Sequence, residues 1–235
     1  MPAHPPLTPS VHQILGRLRA LANTKNVQGM ARFGMTSEGR LGISMPQLRL
    51  IARQAGTSHP LALALWKTSI PEARILASMI ADPEKLTERQ IEAWVKDFNS
   101  WDVCDQVCLN LFVRSPFAWK KVREWSGRKE EYVRRAAFAL LACLAVHDKN
   151  TADRMFAGAL SLVARASTDD RNFVKKAVNW ALRGIGKRTW HLNTAALETA
   201  RIIRQMPSTS ARWIAGDAIR ELENPAIRKR IKGAR

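Results

Sequence analysis

Three ten-residue stretches set the first limit on the fold. VRRAAFALLA from Val133, VKKAVNWALR from Val174 and RWIAGDAIRE from Arg212 resemble one another at an offset of about 41 residues. A period near 40 with two helices per unit is the mark of HEAT-type arrays, in which each helix pair needs its neighbours to bury its apolar side. The rest of the chain agrees: alternating β-branched runs are nearly absent, and Ala, Leu, Arg and Lys abound. Helix starts are expected near Pro9, Ser44, Pro60, Pro71, Thr87, Ser100, Ser115, Glu130, Asn150, Asp169, Asn193 and Ser208. Many of these carry a side chain that caps the first amides, or a proline suited to a first turn. The expected fold is all-α, a HEAT-like helical-repeat superhelix (an α-α solenoid) presenting one extended concave surface; an irregular helical bundle is the alternative. No composition shift marks an internal boundary, so residues 10–235 read as a single domain behind a flexible leader at 1–9.

Charge narrows the partners. The chain has 38 Lys+Arg against 20 Asp+Glu, a formal +18. So much positive charge repels itself unless a polyanion offsets it, which puts nucleic acid first and an anionic membrane surface second. With 46% hydrophobic and 25% charged residues the composition is globular rather than disordered. No apolar run approaches the roughly 20 residues that span a bilayer. The opening MPAHPPLTPS, with four prolines and no apolar centre, does not read as a secretory signal. Cys104, Cys108 and Cys143 are too few for a disulfide framework and point to a reduced, intracellular setting.

Helical wheels separate the core stripe from the other faces. In the helix around Val174–Gly186, Val174, Ala177, Val178, Ala181, Leu182 and Ile185 form one apolar stripe. Trp180 falls about 120° or more from its centre, on a face shared with Lys176, Arg183 and Lys187. An indole among three cations either packs on the cation stems or meets a nucleotide or sugar. In the helix at Glu130–His147, Val133, Ala137, Leu140 and Leu144 mark the core. Arg135 sits nearly opposite, with small Ala139 and Ala142 beside it, leaving room for something bulky; Arg134 lies nearer the flank. Both arginines are read as phosphate contacts, or else as a solvated pair.

The segment FNSWDVCDQVCLNLF, Phe98 to Phe112, is the densest in reactive side chains. Asn99 or Ser100 is the natural N-cap, and Val103, Cys104, Val107, Cys108 and Leu111 make the core stripe. Asp102 lies in the first turn, where a carboxylate favours the helix dipole, and is read as a cap. Asp105 lies one turn further in, at i+4 from Trp101, with Cys108, Leu109 and Phe112 near it. Burying a carboxylate there is costly unless it is paired or used, so Asp105 is the candidate for chemistry. Cys104 and Cys108 do not make a zinc site, because no nearby motif supplies the remaining ligands. There is no Gly-rich phosphate loop and no nucleophile elbow, and neither metal nor cofactor is expected.

SWDVCD, then RRAAFAL, then KKAVNWALRGIGK, together with GMARFGMTSEGRLGISMPQLRLIARQAG (Gly29 to Gly56), resemble the AlkD family of DNA alkylation-repair glycosylases in order and spacing, across roughly residues 15 to 220. The resemblance implies HEAT-like repeats whose concave, basic face grips duplex DNA. It implies hydrolysis of the N-glycosidic bond of N3- and N7-alkylated purines, with Asp105 as the catalytic aspartate and Trp101 and Trp180 as the two cleft tryptophans. Arg135 is the matching cleft arginine; Arg134, Lys176, Arg183 and Lys187 are read as further DNA contacts from their wheel positions and the net charge. The resemblance also implies work on the sugar without enclosing the base. The partner is then double-stranded DNA carrying alkylated bases, met by a monomer in a bacterial-type cytoplasm, nucleoid-associated when bound. The leader has no counterpart in the family, and the basic tail IRKRIKGAR is either a DNA-contacting arm or simply solvated. A non-catalytic HEAT-like protein binding damaged or structured DNA is the first rival, and a peptide-binding adaptor the second.

Overall fold

The computed structural model describes residues 9–233; the first eight residues of the expected leader lie outside the described residues. Among the described residues there are fourteen α-helices, two short 3-10 turns and no strand. By its internal contacts the chain divides into two compact units. One runs up to Glu92 and includes Asn99–Ser115; the other comprises Ala93–Phe98 and the chain from Pro116 onward. The Glu92–Ala93 boundary falls inside a helix, α6 (Glu88–Lys96), where no change of composition marks it.

The first unit holds α1 (Val11–Ala20), α2 (Thr24–Ala31), α3 (Met45–Ala55), α4 (His59–Trp66), α5 (Pro71–Ile80) and α7 (Trp101–Asn110). Its hub is α5, which packs against α3, α4 and α7 and is buried over nearly its whole length. Local chemistry sets the helix starts. Ser10 and Gln13 cap α1 reciprocally, as do Ser44 and Gln47 for α3, while Pro71 supplies a first residue whose missing amide proton costs nothing.

The second unit holds α8 (Ala118–Ser126), α9 (Glu131–His147), α10 (Asp153–Ala166), α11 (Asn172–Gly186), α12 (Trp190–Arg204), α13 (Thr209–Leu222) and α14 (Pro225–Gly233). The three repeated stretches fall on α9, α11 and α13. Helix α9 packs on α11 and α11 on α13, while α8, α10 and α12 form a second row in the same order. The repeat is therefore a helix pair, α8–α9, α10–α11 and α12–α13, stacked as in HEAT arrays. The stripe Val174, Ala177, Val178, Ala181, Leu182 and Ile185 is fully buried, as is nearly all of Val133, Ala137, Leu140 and Leu144.

Several boundaries differ from the sequence expectation. Helices α2 and α14 were not foreseen. The start expected near Asn193 lies at Trp190, capped by the Thr189 hydroxyl. Asn193 is buried instead, and its Nδ2 donates to the carbonyls of Gly186 (3.0 Å) and Leu222 (3.3 Å). Helices α10 and α11 start three residues later than Asn150 and Asp169, because Asp148 and Asp169 fold the preceding residues into turns by accepting from the amides of Asn150, Thr151 and Arg171. A 3-10 turn at Phe112–Arg114 precedes α8, which starts at Ala118 rather than Ser115. No described helix is long and apolar enough to cross a membrane.

Gly186 closes α11 where α12 and α13 converge. A β-carbon there would lie 2.6 Å from Leu222 Cδ1 and 3.0 Å from Ala196 Cβ. Gly186→Ala is expected to destabilise the fold by about 1–3 kcal/mol through overpacking. Chemical denaturation checks this, and an unchanged midpoint would show that the contact relaxes freely.

Candidate nucleic-acid interface

The first turn of α7 is fixed by residues 33–40, a segment that the sequence reading left without a role. Ser100 is the N-cap by its extended backbone, but its hydroxyl does not cap the helix. It donates to the Asp102 carboxylate and accepts from the Thr36 amide (3.2 Å). Asp102 does lie in the first turn, yet its carboxylate is taken by Arg40 rather than by the helix amides: Nη1 and Nη2 donate to its two oxygens at 2.8 and 3.0 Å. The Arg40 side chain is 2% exposed and that of Asp102 13%. The same arginine's Nε donates to the Thr36 carbonyl (2.5 Å), which folds the loop onto the helix. Arg40 stands between Gly39 and Gly42, both at positive φ. Its signal in the sequence was a lone arginine in a glycine-flanked loop, and the nearby Glu38 gave no pointer to its actual partner 62 residues away.

The clamp carries two of the expected site residues. Trp101 is half-buried, and its indole N–H donates to the Phe33 carbonyl at 3.0 Å. Asp105 is half-buried on the next turn, while Val103, Cys104, Val107, Cys108 and Leu111 fill the core as expected. All three cysteines are buried free thiols, and no described group of three His, Cys, Asp or Glu residues is placed to hold a metal. Removing one partner of a buried ion pair strands the other charge, so Asp102→Ala should lower stability by about 3 kcal/mol. Urea denaturation tests this, and a loss under about 1 kcal/mol would contradict the clamp.

The remaining expected residues lie in the second unit, and their surroundings differ from the helical wheels. Arg135 is only 5% exposed, and Ala139 and Ala142 beside it are fully buried, so the room expected there is filled by neighbouring helices. Its Nη1 donates to the Phe173 carbonyl at the start of α11 (2.5 Å). Arg134 pairs with Asp169 (3.0 Å), which also binds Arg171 (2.6 Å). Lys176 is exposed and Trp180 half-buried. Arg183 and Lys187, expected to ring Trp180, instead reach Glu221 on α13 at 2.6 and 2.7 Å, and Arg183 also approaches Asp217 (3.5 Å). Lys187 still lines the groove beside Trp180.

These pairs hold their carboxylates below the ordinary pKa. For Asp169, burial pushes upward, but hydrogen bonds from the Arg171 side chain and backbone and the charges of Arg171 and Arg134 outweigh it. For Glu221, burial is likewise outweighed by Lys187 and Arg183. For Asp217, the Asn179 hydrogen bond is the largest cause, with Arg220 and Arg183 adding to it against burial. A native state with depressed carboxylate pKa values binds fewer protons than the unfolded chain. These pairs therefore stabilise above the ordinary carboxylate range, and the contribution is lost as pH falls through about 4 toward the folded values. Stability measured by denaturation should drop between about pH 5 and pH 3, and Glu221→Gln should shallow that drop. An equally steep drop in the variant would remove the α11–α13 pair from the account.

A family model for DNA alkylation repair enzymes matches residues 14–222. No curated protein matches the chain. Among solved structures, one is a member of a family related to the HEAT-like repeat DNA glycosylases, described as having affinity for branched DNA structures. It is 18% identical, with a TM-score of 0.75 over 91% of this chain and 95% of that one. At that identity the likeness speaks for the HEAT-like repeat fold. An engineered protein (14% identical, TM-score 0.40, 75% of this chain and 84% of that one) and a designed armadillo repeat protein (18%, 0.34, 75% and 92%) are too slightly similar to bear on it. With its motifs in order on these helices and the family model spanning nearly its whole length, the chain belongs to the DNA alkylation repair enzyme family.

Proposed function

We propose that the chain is a monofunctional DNA glycosylase that hydrolyses the N-glycosidic bond of positively charged N3- and N7-alkylated purines in duplex DNA. The observation that carries this reading is Asp105, half-buried one turn beyond Trp101 on a helix whose first turn is clamped by Arg40 and Asp102. That is rigid placement for a carboxylate and an indole on one helix, as the chemistry requires.

The cationic purine is an activated leaving group. When the bond to the deoxyribose breaks, its electron pair neutralises the departing base, and no acid is needed to protonate it. What remains is an oxocarbenium-like sugar. In this reading the ionised Asp105 stabilises that charge and orients a water, whose oxygen bonds to the anomeric carbon as its proton passes to the carboxylate. Trp101 offers an electron-rich face to the same charge, and Trp180 is assigned a similar role from α11. Arg135, Arg134, Lys176, Arg183 and Lys187 are assigned to the DNA backbone. Arg135 would act from a nearly buried position, and Arg183 and Lys187 as members of the Glu221 network. Only Lys176 stands exposed without a described partner. We assign the chain to the cytoplasm as a monomer.

Base release from a duplex carrying one 7-methylguanine tests the proposal. Wild type should release it, and Asp105→Asn should lose at least about a hundredfold in rate while DNA binding is roughly kept. A second reading, non-catalytic binding of structured DNA, is favoured by the branched-DNA affinity of the 18% identical relative. Retained DNA binding with no release by wild type would establish that reading instead.

A further inference from the structure

The second unit contains an open groove of about 570 Å³ whose lining includes Trp180, Gly184, Lys149, Lys187, Arg188 and Arg230. Four cations line it and no carboxylate does. We propose that this groove is a phosphate-ester subsite that takes a single unstacked nucleotide, with the phosphate between Lys149 and Arg230 and the sugar and base against the Trp180 indole. The proposal rests on the DNA reading above only for the source of the nucleotide; the groove's chemistry stands on the observations that follow.

The groove is built rather than incidental. Arg230 belongs to α14, which is seated on α12 and α13 with Ile231 nearly fully buried. The Arg228 guanidinium and the Lys232 ammonium lie over the Trp190 ring at 4.7 and 4.6 Å, so the basic tail as far as Gly233 is a docked helix and not a loose arm. Arg188 is held equally firmly. It donates to the carbonyls of Ala145 (2.8 Å) and Leu144 (3.4 Å) at the end of α9 and lies 3.9 Å over the Phe156 ring. Burial lowers its pKa, against the opposing charges of Asp153 and Asp148. Lys187 is tied to Glu221. These two are committed cations that make the groove positive.

Lys149 and Arg230 differ: both are exposed, and no described residue pairs with either. The Trp180 indole N–H also has no hydrogen-bond partner among the described residues, although it lines the groove. The volume suits one nucleotide, since small-ligand sites run from about 300 to 1,000 Å³. A base reaches the indole face only when it has left its stack, which is why the ligand is an unstacked nucleotide rather than paired duplex.

The test compares wild type, the double variant Lys149→Ala/Arg230→Ala, its charge-keeping counterpart Lys149→Arg/Arg230→Lys, and Arg165→Ala as a cation removed from elsewhere on the unit. Three probes are titrated across a salt series: thymidine 5′-monophosphate, an oligothymidylate single strand, and an undamaged duplex. The double variant should bind the single strand about tenfold more weakly, with the log–log salt slope shallower by roughly 0.7 for each cation removed. The charge-keeping and Arg165 variants should match wild type. Wild-type binding of the mononucleotide as well would identify a free phosphomonoester as sufficient; binding of the strand alone would identify a phosphate within a chain. Single-strand affinity and slope unchanged in the double variant overturn the subsite and leave the glycosylase proposal standing. A wild type that releases no 7-methylguanine, yet binds the single strand through Lys149 and Arg230, sinks the glycosylase and keeps the subsite.

Discussion

Helices α9 and α11 meet through alanine and glycine, and the second unit is built outward from that contact. A β-carbon on Gly184 would lie 3.4 Å from Ala145 Cβ and 3.7 Å from Ala142 Cα, ordinary contact distances that leave no space for a larger side chain. Ala136, Ala139, Ala142, Ala177 and Ala181 are fully buried along the same two helices. Small residues gain little each from leaving water, but they bring two backbones close enough for many dispersion contacts. Arginines tie the two helices at each end: Arg135 bonds Phe173 where α11 begins, and Arg188 bonds the last carbonyls of α9. Trp180 is carried on α11 between those two ties.

The first unit solves a different problem with the same residue type. Helix α7 begins at an indole and a carboxylate, and the Ser100 hydroxyl does not cap it. A buried arginine from a loop 62 residues earlier secures it, closing a bidentate pair with Asp102 while its own loop carbonyl accepts from its Nε. Such a pair has little net effect on stability compared with an apolar substitute, but its geometry is specific. The result is one defined orientation for the turn that carries Trp101 and the turn after it that carries Asp105.

The formal charge of +18 is not spread evenly in its consequences. On the second unit, Arg134 and Arg171 are absorbed by Asp169, and Arg183 and Lys187 by Glu221 and Asp217, as links between helices. The positive charge left available to a polyanion lies on exposed residues such as Lys176, Lys149 and Arg230. A cation count therefore indicates a polyanionic partner without saying which side chains meet it.

Much of the architecture was legible in the chain itself. A 41-residue recurrence and the 3.6-residue stripes depend only on which residues are apolar and how they are spaced, and burial follows that spacing closely on α7 and α11. The half-buried positions of Asp105 and Trp101, off the core stripe of α7, follow from the same local periodicity. What escaped was decided by contacts between distant segments. The wheel placed Asp102 as a cap, but Arg40 claims it. It placed Arg135 on an open face, but the stacking of α9 against α8 and α11 encloses that face. The basic tail read as either a DNA-contacting arm or a solvated end, but burial of Ile231 and the stacking of Arg228 and Lys232 on Trp190 make its described part α14. The sequence alone determined that the chain is helical, where most of its helices lie, and which stripe of α7 and α11 is apolar. Only the tertiary structure decided which charges are spent on one another, because an ion pair depends on distance in space, and the helical wheel measures only angle around one axis.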